Sequence, residues 1–179
     1  GASYVDINVD EVHHNLDIQK RAMRWAVETV QAVSTVPPSI DSSNSEIIAA
    51  GLETYDGSAG RPIINSAAPE RPETLDLIAK HNARAIAMAT SVTGMPQDAD
   101  ARVQNAKAIV ERVLSKGVLL GDIFVDATIF PISVDSENGN HYFDAVRGIR
   151  DEYGAEIHIG MGLSNVSFLP SEANEGGPE

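Results

Sequence analysis

The residues of this chain best suited to chemistry stand singly at the exits of short apolar segments. Ile157 to Ile159 leads into Gly160-Met-Gly-Leu-Ser-Asn-Val-Ser167, which delivers Gly162, Ser164 and Asn165. Pro38-Ser-Ile leads into Asp41, Ile63-Ile into Asn65, and Ile123-Phe-Val into Asp126. A parallel (β/α) barrel builds its active site this way, because all its strand ends converge on one face. Carboxylates accept hydrogen bonds, whereas amides both donate and accept. Small residues beside the polar ones let a planar ligand approach the backbone. Taken singly, each position has a plainer reading. Asp41 also suits a helix cap, and Asn65 or the Ser164-Asn165 pair a turn.

The elements that must position these residues alternate strand and helix. Strands are expected over Tyr4–Val9, up to Asp41, over Pro62–Asn65, Ala85–Thr90, Asp122–Asp126 and Glu156–Met161. Between them, apolar residues recur at helical spacing. Helices are expected over Ile18–Val33, after a cap at Asn44, over Glu70–His81, Asp98–Lys116 and His141–Tyr153. Strict β-α order means an α/β fold with a parallel sheet and helical crossovers. The strands are continuously apolar, as suits a sheet covered on both faces.

Composition excludes several function classes. The chain has 179 residues, with 26 acidic against 13 basic residues and a formal charge of −13. That balance argues against nucleic acid and against anionic membranes. No apolar run reaches the length of a membrane span, and no signal peptide is read before the first strand. The absence of cysteine excludes disulfides and cysteine-ligated zinc and leads to an expected cytoplasmic location. Residues 170–179 carry no periodicity and are expected to form an acidic, disordered tail, leaving 1–169 as the folded domain.

Six segments occur in one order: Val5-Asp-Ile-Asn8, Ile40-Asp-Ser-Ser-Asn44, Ile64-Asn-Ser66, Gly94-Met-Pro-Gln-Asp-Ala-Asp-Ala-Arg102, Val125-Asp126 and Gly162-Leu-Ser-Asn-Val-Ser167. Together they resemble the pterin-binding family of folate methyltransferases. That family includes the methyltetrahydrofolate:corrinoid protein methyltransferases, the folate module of cobalamin-dependent methionine synthase and, more distantly, dihydropteroate synthase. The resemblance implies a (β/α)8 TIM barrel, of which this sequence carries about six βα units; the first and last strands have no counterpart. The first and last visible strands are therefore expected to flank a gap rather than to pair.

The resemblance also implies an activity. A methyl group would pass between N5 of methyltetrahydrofolate and the cobalt of a corrinoid carried on a partner protein, with tetrahydrofolate as substrate. Asp41, Asn65 and Asp126 match the pterin-anchoring positions. Asn165 matches the amide near N5 and is the expected catalytic residue. Ser164 and Gly162 would shape the pocket, and Asp6, Asn8 and Met88 are further pterin-facing candidates. A homodimer is expected. Alternatives are a dihydropteroate synthase-like pterin enzyme, or a non-catalytic pterin-binding or scaffolding remnant.

Other residues read as structural. His13 and His14 suit a surface loop, and His158 a core position. Asp98, Asp100 and Arg102 suit a helix cap with a salt bridge. Met88, Met95 and Met161 read more simply as packing. No metal-ligand spacing is present.

Overall fold

A computed structural model describes residues 1–167. The tail read over 170–179 lies outside the described residues. The strands are β1 (Val5–Asn8), β2 (Pro38–Asp41), β3 (Ile63–Ala67), β4 (Arg84–Met88), β5 (Ile123–Asp126) and β6 (His158–Gly160). The helices are α1 (Leu16–Gln31), α2 (Ser45–Thr54), α3 (Glu73–Lys80), α4 (Ala99–Leu114) and α5 (Glu137–Tyr153). Short 3-10 turns occupy Leu120–Asp122 and Leu163–Ser167.

All six strands are parallel and lie in chain order. The pleat sends alternate residues to opposite faces. Ile7, Ile40, Ile64, Ala85 and Ile123 are mutually in register and buried. This face carries the helices: a methyl group on Gly51 of α2 would lie 2.9 Å from Ile40 and 3.1 Å from Met23 of α1. The alanines of β4, Ala85 and Ala87, are fully buried and leave room for α4 to approach.

Helix starts follow local side chains. Asn15 accepts from the amides of Asp17 and Ile18, Asn44 from Glu46, and Asp98 from Ala101. Each satisfies amide donors that a first turn leaves unpaired. Two starts differ from the sequence expectation. α3 begins at Glu73 rather than Glu70, because a residue preceding proline is pushed out of helical geometry and Arg71 precedes Pro72. α5 begins at Glu137 rather than His141, because the Asp135 carboxylate receives the Glu137 amide at 2.9 Å.

The sheet is strongly curved. In a flat sheet β1 and β5 would stand about 19 Å apart, at about 4.8 Å per strand. Yet the Tyr4 ring, just before β1, meets Phe124 of β5 edge-on, with centroids 6.3 Å apart. Arg84 of β4 donates to the Tyr4 hydroxyl at 2.7 Å and to Asp122 at 2.9 Å; Arg61 donates to Asp122 at 2.6 Å. This cluster ties the N-terminal ends of the strands together across the interior. β1 and β6 remain the two edges, and no pairing joins them among the described residues, as expected of a partial barrel.

Asp122 is 7% exposed. Burial pushes its carboxyl up, but bonds and charge from Arg61 and Arg84 outweigh this, so it lies below the usual carboxylate range. A depressed folded value stabilises above the unfolded value, and the contribution is lost as pH falls through the folded one. Asp122→Asn is expected to destabilise the chain at pH 7 by about 1–3 kcal/mol. That corresponds to a melting temperature lower by roughly 2–12 °C. The gap between variant and parent should close in acid, where Asp122 is itself protonated. Thermal melts from pH 7 to pH 2 check both the loss and its disappearance.

Candidate active site at the strand C-termini

The face opposite the helices carries the polar strand ends. Asn8 pairs with Asp41, and Asp41 with Asn65, in successive ladders. Asn65 lies in register with Ile86, which pairs with Phe124. One pleat further toward the C-terminal ends, Met88 pairs with Asp126, and Asp126 with Gly160. A register shift in β3 between Asn65 and Ala67 separates the two rows.

Two cavities open at this end of the sheet. One, of about 220 Å³, is lined by Asn65, Ile86, Phe124, Val125, Asp126 and Gly160 to Gly162. The other, of about 330 Å³, is lined by Met88, Met95, Asp126, Thr128 to Pro131 and Asn165. Asp126 borders both. Asn65 and Asp126 share the smaller cavity, and Asp126 and Asn165 the larger, whereas Asp41 lines neither and neighbours Asn65 through the strand ladder. A mostly apolar recess with a few converging polar groups is the usual form of a small-molecule site. A depression of about 350 Å³ at the opposite end holds Arg61, Lys116 and Asp122. Its charges are paired, Arg61 with Asp122 and Lys116 with Asp76, which marks it as structural.

Asp126 is partly buried and accepts the Thr128 amide at 2.8 Å. Burial raises its carboxyl above the ordinary range, with the Thr128 bond opposing. Asp41 is raised too. Burial leads, Asp6 and Asp10 add repulsion, and a bond from Asn8 and the charge of Arg71 oppose. Asn8 also accepts the Asp10 amide at 2.9 Å, so it serves loop and strand end together. Asp6 is exposed on the same face, two residues before Asn8.

The Leu163–Ser167 turn carries Asn165, whose amide packs on Gly162. A methyl group at Gly162 would stand 3.0 Å from Asn165 Nδ2. The Asn165 backbone amide donates to Gly162 O at 3.0 Å. Asn165 is exposed at the mouth, and Ser164 is exposed and lines neither cavity.

Some placements differ from the sequence reading. His158 is exposed rather than a core residue; it lies on the open face and stacks on Phe124 at 4.5 Å. Met88 and Met95 line the larger cavity. Asp98 caps α4 as expected, but Arg102 forms no salt bridge among the described residues. It is fully buried and donates to the carbonyls of Thr128 and Asp98.

Sequence reasoning passed over two residues. Arg71 donates to Ser42 O at 2.7 Å and to Ser66 Oγ at 2.9 Å, binding the loops after β2 and β3 beside Asp41 and Asn65. Asp10 receives Ser42 Oγ at 2.6 Å and the Ser43 amide at 2.8 Å. The available signal was their position a few residues past a polar strand end. Among the described residues, no group of His, Asp or Glu stands ready to hold a metal.

Residues 1–177 match the family described as pterin binding enzyme. The chain belongs to the pterin-binding enzyme family. The fold of that family is the TIM barrel, of which the curved six-stranded sheet is a part. Methionine synthase of Mycobacterium leprae (strain TN) is 30% identical over 94% of the chain, which spans 14% of that protein. Methionine synthase of Mycobacterium tuberculosis (strain ATCC 25618 / H37Rv) is 27% identical over 94% of the chain and 15% of its own length. Methylcorrinoid:tetrahydrofolate methyltransferase of Eubacterium limosum is 26% identical over 96% of the chain and 63% of its own length. The chain thus spans less than two thirds of each of these relatives. No helix of the described residues is long and apolar enough to cross a membrane.

The raised carboxyl of Asp126 has a consequence for stability. A native state that favours the neutral acid loses stability as pH rises from the unfolded value through the folded one, and carries the full cost above it. Asp126→Asn is therefore expected to melt at a higher temperature than the parent at pH 7. The advantage should shrink as pH falls toward the ordinary carboxylate range. Melting curves across pH 3–8 test this; an Asn variant less stable than the parent at pH 7 would refute it.

Proposed function

We propose that this chain is the pterin-binding part of a methyltransferase. A methyl group would move between N5 of methyltetrahydrofolate and the cobalt of a corrinoid held by a partner protein. The observation that carries the reading is the run Asp41–Asn65–Asp126 on one face with Asn165 at the same mouth. The names of the relatives support it.

The pterin edge offers a 2-amino group, an N3–H and a 4-oxo group. Carboxylates at Asp41 and Asp126 suit the two donors, and the Asn65 amide can donate to the oxygen while accepting from an N–H. In a partly desolvated recess such bonds select strongly against ligands lacking the partner groups. The site needs both acids ionised, yet burial raises both. The 2-amino and N3–H groups of a pterin would favour the ionised form of both acids.

Asn165 has a different task. An amine anion is a poor leaving group, so N5 must gain a hydrogen bond or proton as its bond to the methyl carbon breaks. An amide does not ionise in the working range and cannot act as an ordinary acid. It can donate a bond that strengthens as charge changes at N5, while solvent supplies the proton. Its exposed place at the rim leaves the methyl-bearing side open to a bulky corrinoid, and Gly162 gives the amide room.

In the complete enzyme, Asn165→Ala is expected to lower methyl transfer to free cob(I)alamin by about 100-fold. Tetrahydrofolate affinity should change only about threefold, since the bond matters most in the transition state. Single-turnover kinetics beside calorimetric titration separate the two. Equal losses in binding and transfer would make Asn165 a plain ligand contact and defeat the assignment.

A further inference from the structure

Arg102 is a buried charge that the proposed chemistry does not use. It lies in the first turn of α4, with no solvent exposure and no carboxylate partner among the described residues. Burial presses its guanidinium pKa down, with Asp98 opposing, but arginine stays charged in proteins. An unpaired buried charge costs several kcal/mol, and an apolar side chain of similar volume would fill the space more cheaply.

Its contacts converge on the loop after β5. Nε donates to Thr128 O at 3.2 Å, and the guanidinium carbon stands 5.0 Å from the Phe130 ring centroid. A third contact, to Asp98 O at 2.9 Å, anchors it to its own helix start. Thr128 has φ of +54°, a left-handed conformation that costs a β-branched residue about 1–2 kcal/mol. It is held from both sides. Its carbonyl accepts from Arg102, and its amide donates to Asp126 Oδ1 at 2.8 Å. Thr128 and Phe130 both line the larger cavity beside Asp126.

We propose that Arg102 is a positioning residue: it fixes Thr128 and Phe130, and through them the carboxylate of Asp126 and the cavity wall beside it. The guanidinium acts through the loop: its hydrogen bonds go to the carbonyls of Thr128 and Asp98, and none goes to Asp126 among the described residues. Lysine cannot replace it, because a single ammonium does not present a planar fork to two carbonyls while stacking on a ring. A titratable group near Asp126 is the Tyr142 hydroxyl of α5, which donates to Gly160 O and is pushed up by burial and by Asp126.

The test uses Arg102→Met, which keeps the volume and removes the donors. In this chain the Asp126 carboxyl, followed by carbon-13 NMR, should titrate at higher pH than in the parent, because a bond to its charged form is loosened. The Thr128 amide should exchange faster with solvent. A purely structural loss elsewhere in α4 would move neither. Should Arg102→Met not fold, Arg102→Lys is expected to show both changes to a smaller degree. A folded variant in which Asp126 titrates as in the parent and Thr128 keeps its protection would overturn the proposal.

The ligand arm rests on the pterin reading. Tetrahydrofolate should bind Arg102→Met about tenfold more weakly, the size expected for one loosened bond to a charged group. The loss should largely vanish when both proteins carry Asp126→Asn. If tetrahydrofolate fails to bind the parent, the pterin reading fails, while the Asp126 titration still decides the role of Arg102.

Discussion

Arg84 reaches into the interior of the curved sheet and holds both Asp122 and Tyr4. That contact, with the Tyr4 ring against Phe124, brings the start of β1 to β5 across a span that a flat sheet would not allow. Curvature is what turns a row of polar strand ends into a mouth. Without it, Asp41 and Asp126 would sit three ladders apart on an open face, too far to engage one small ring. The ion cluster lies at the N-terminal ends and the candidate chemistry at the C-terminal ends, the usual division between stability and activity in (β/α) barrels. Neither edge strand, β1 or β6, pairs with the other among the described residues. Among the described residues, side-chain contacts through the interior therefore hold the curve.

The pleat then divides duties along each strand. Ile40 and Ile64 go to the helices, while Asp41 and Asn65, one residue on, go to the mouth. Two partly buried carboxylates follow from this, and both are raised by burial. Once ionised, these two carboxylates oppose the stability of the fold. Arg71 softens this at Asp41 but is itself bonded to Ser42 and Ser66, so it serves chiefly to hold two loops together.

The strand ends were legible in the sequence because each polar residue closes an apolar run, and parallel order puts such ends on one side. Asp41, Asn65, Asp126 and Asn165 could all be named that way. Helix caps at Asn44 and Asp98 were legible for the same local reason. What escaped depends on distance in the chain. Arg71 meets Ser42 from 29 positions away, and Arg102 meets Thr128 from 26. No local pattern tells such an arginine from a surface one. His158 was misread because an apolar neighbourhood implies burial only if both faces of the strand are covered. On β6 the inner face is open, and Phe124 takes the imidazole as a stacking partner. The starts of α3 and α5 shifted because Pro72 and Asp135 govern them, and periodicity sees neither.

The loop after β5 links Asp126, Arg102 and the turn that carries Asn165. It begins at Asp126, passes the left-handed Thr128 gripped by Arg102, and runs along the larger cavity through Phe130. Further on, the Ile132 amide donates to Val166 O at 3.4 Å, next to Asn165. One loop thus touches both the carboxylate proposed to anchor the pterin and the turn that carries the proposed N5 donor. A misplacement of about 1 Å is enough to cost a reaction roughly 100-fold in rate. Among the described residues the turn bearing Asn165 is tied by its own amide to Gly162 O and by the Ile132 amide to Val166 O. Arg102, Asp126 and Asn165 are therefore coupled through shared backbone. Changes at them should combine non-additively, as groups in one network do, although their side chains form no hydrogen bond with one another among the described residues.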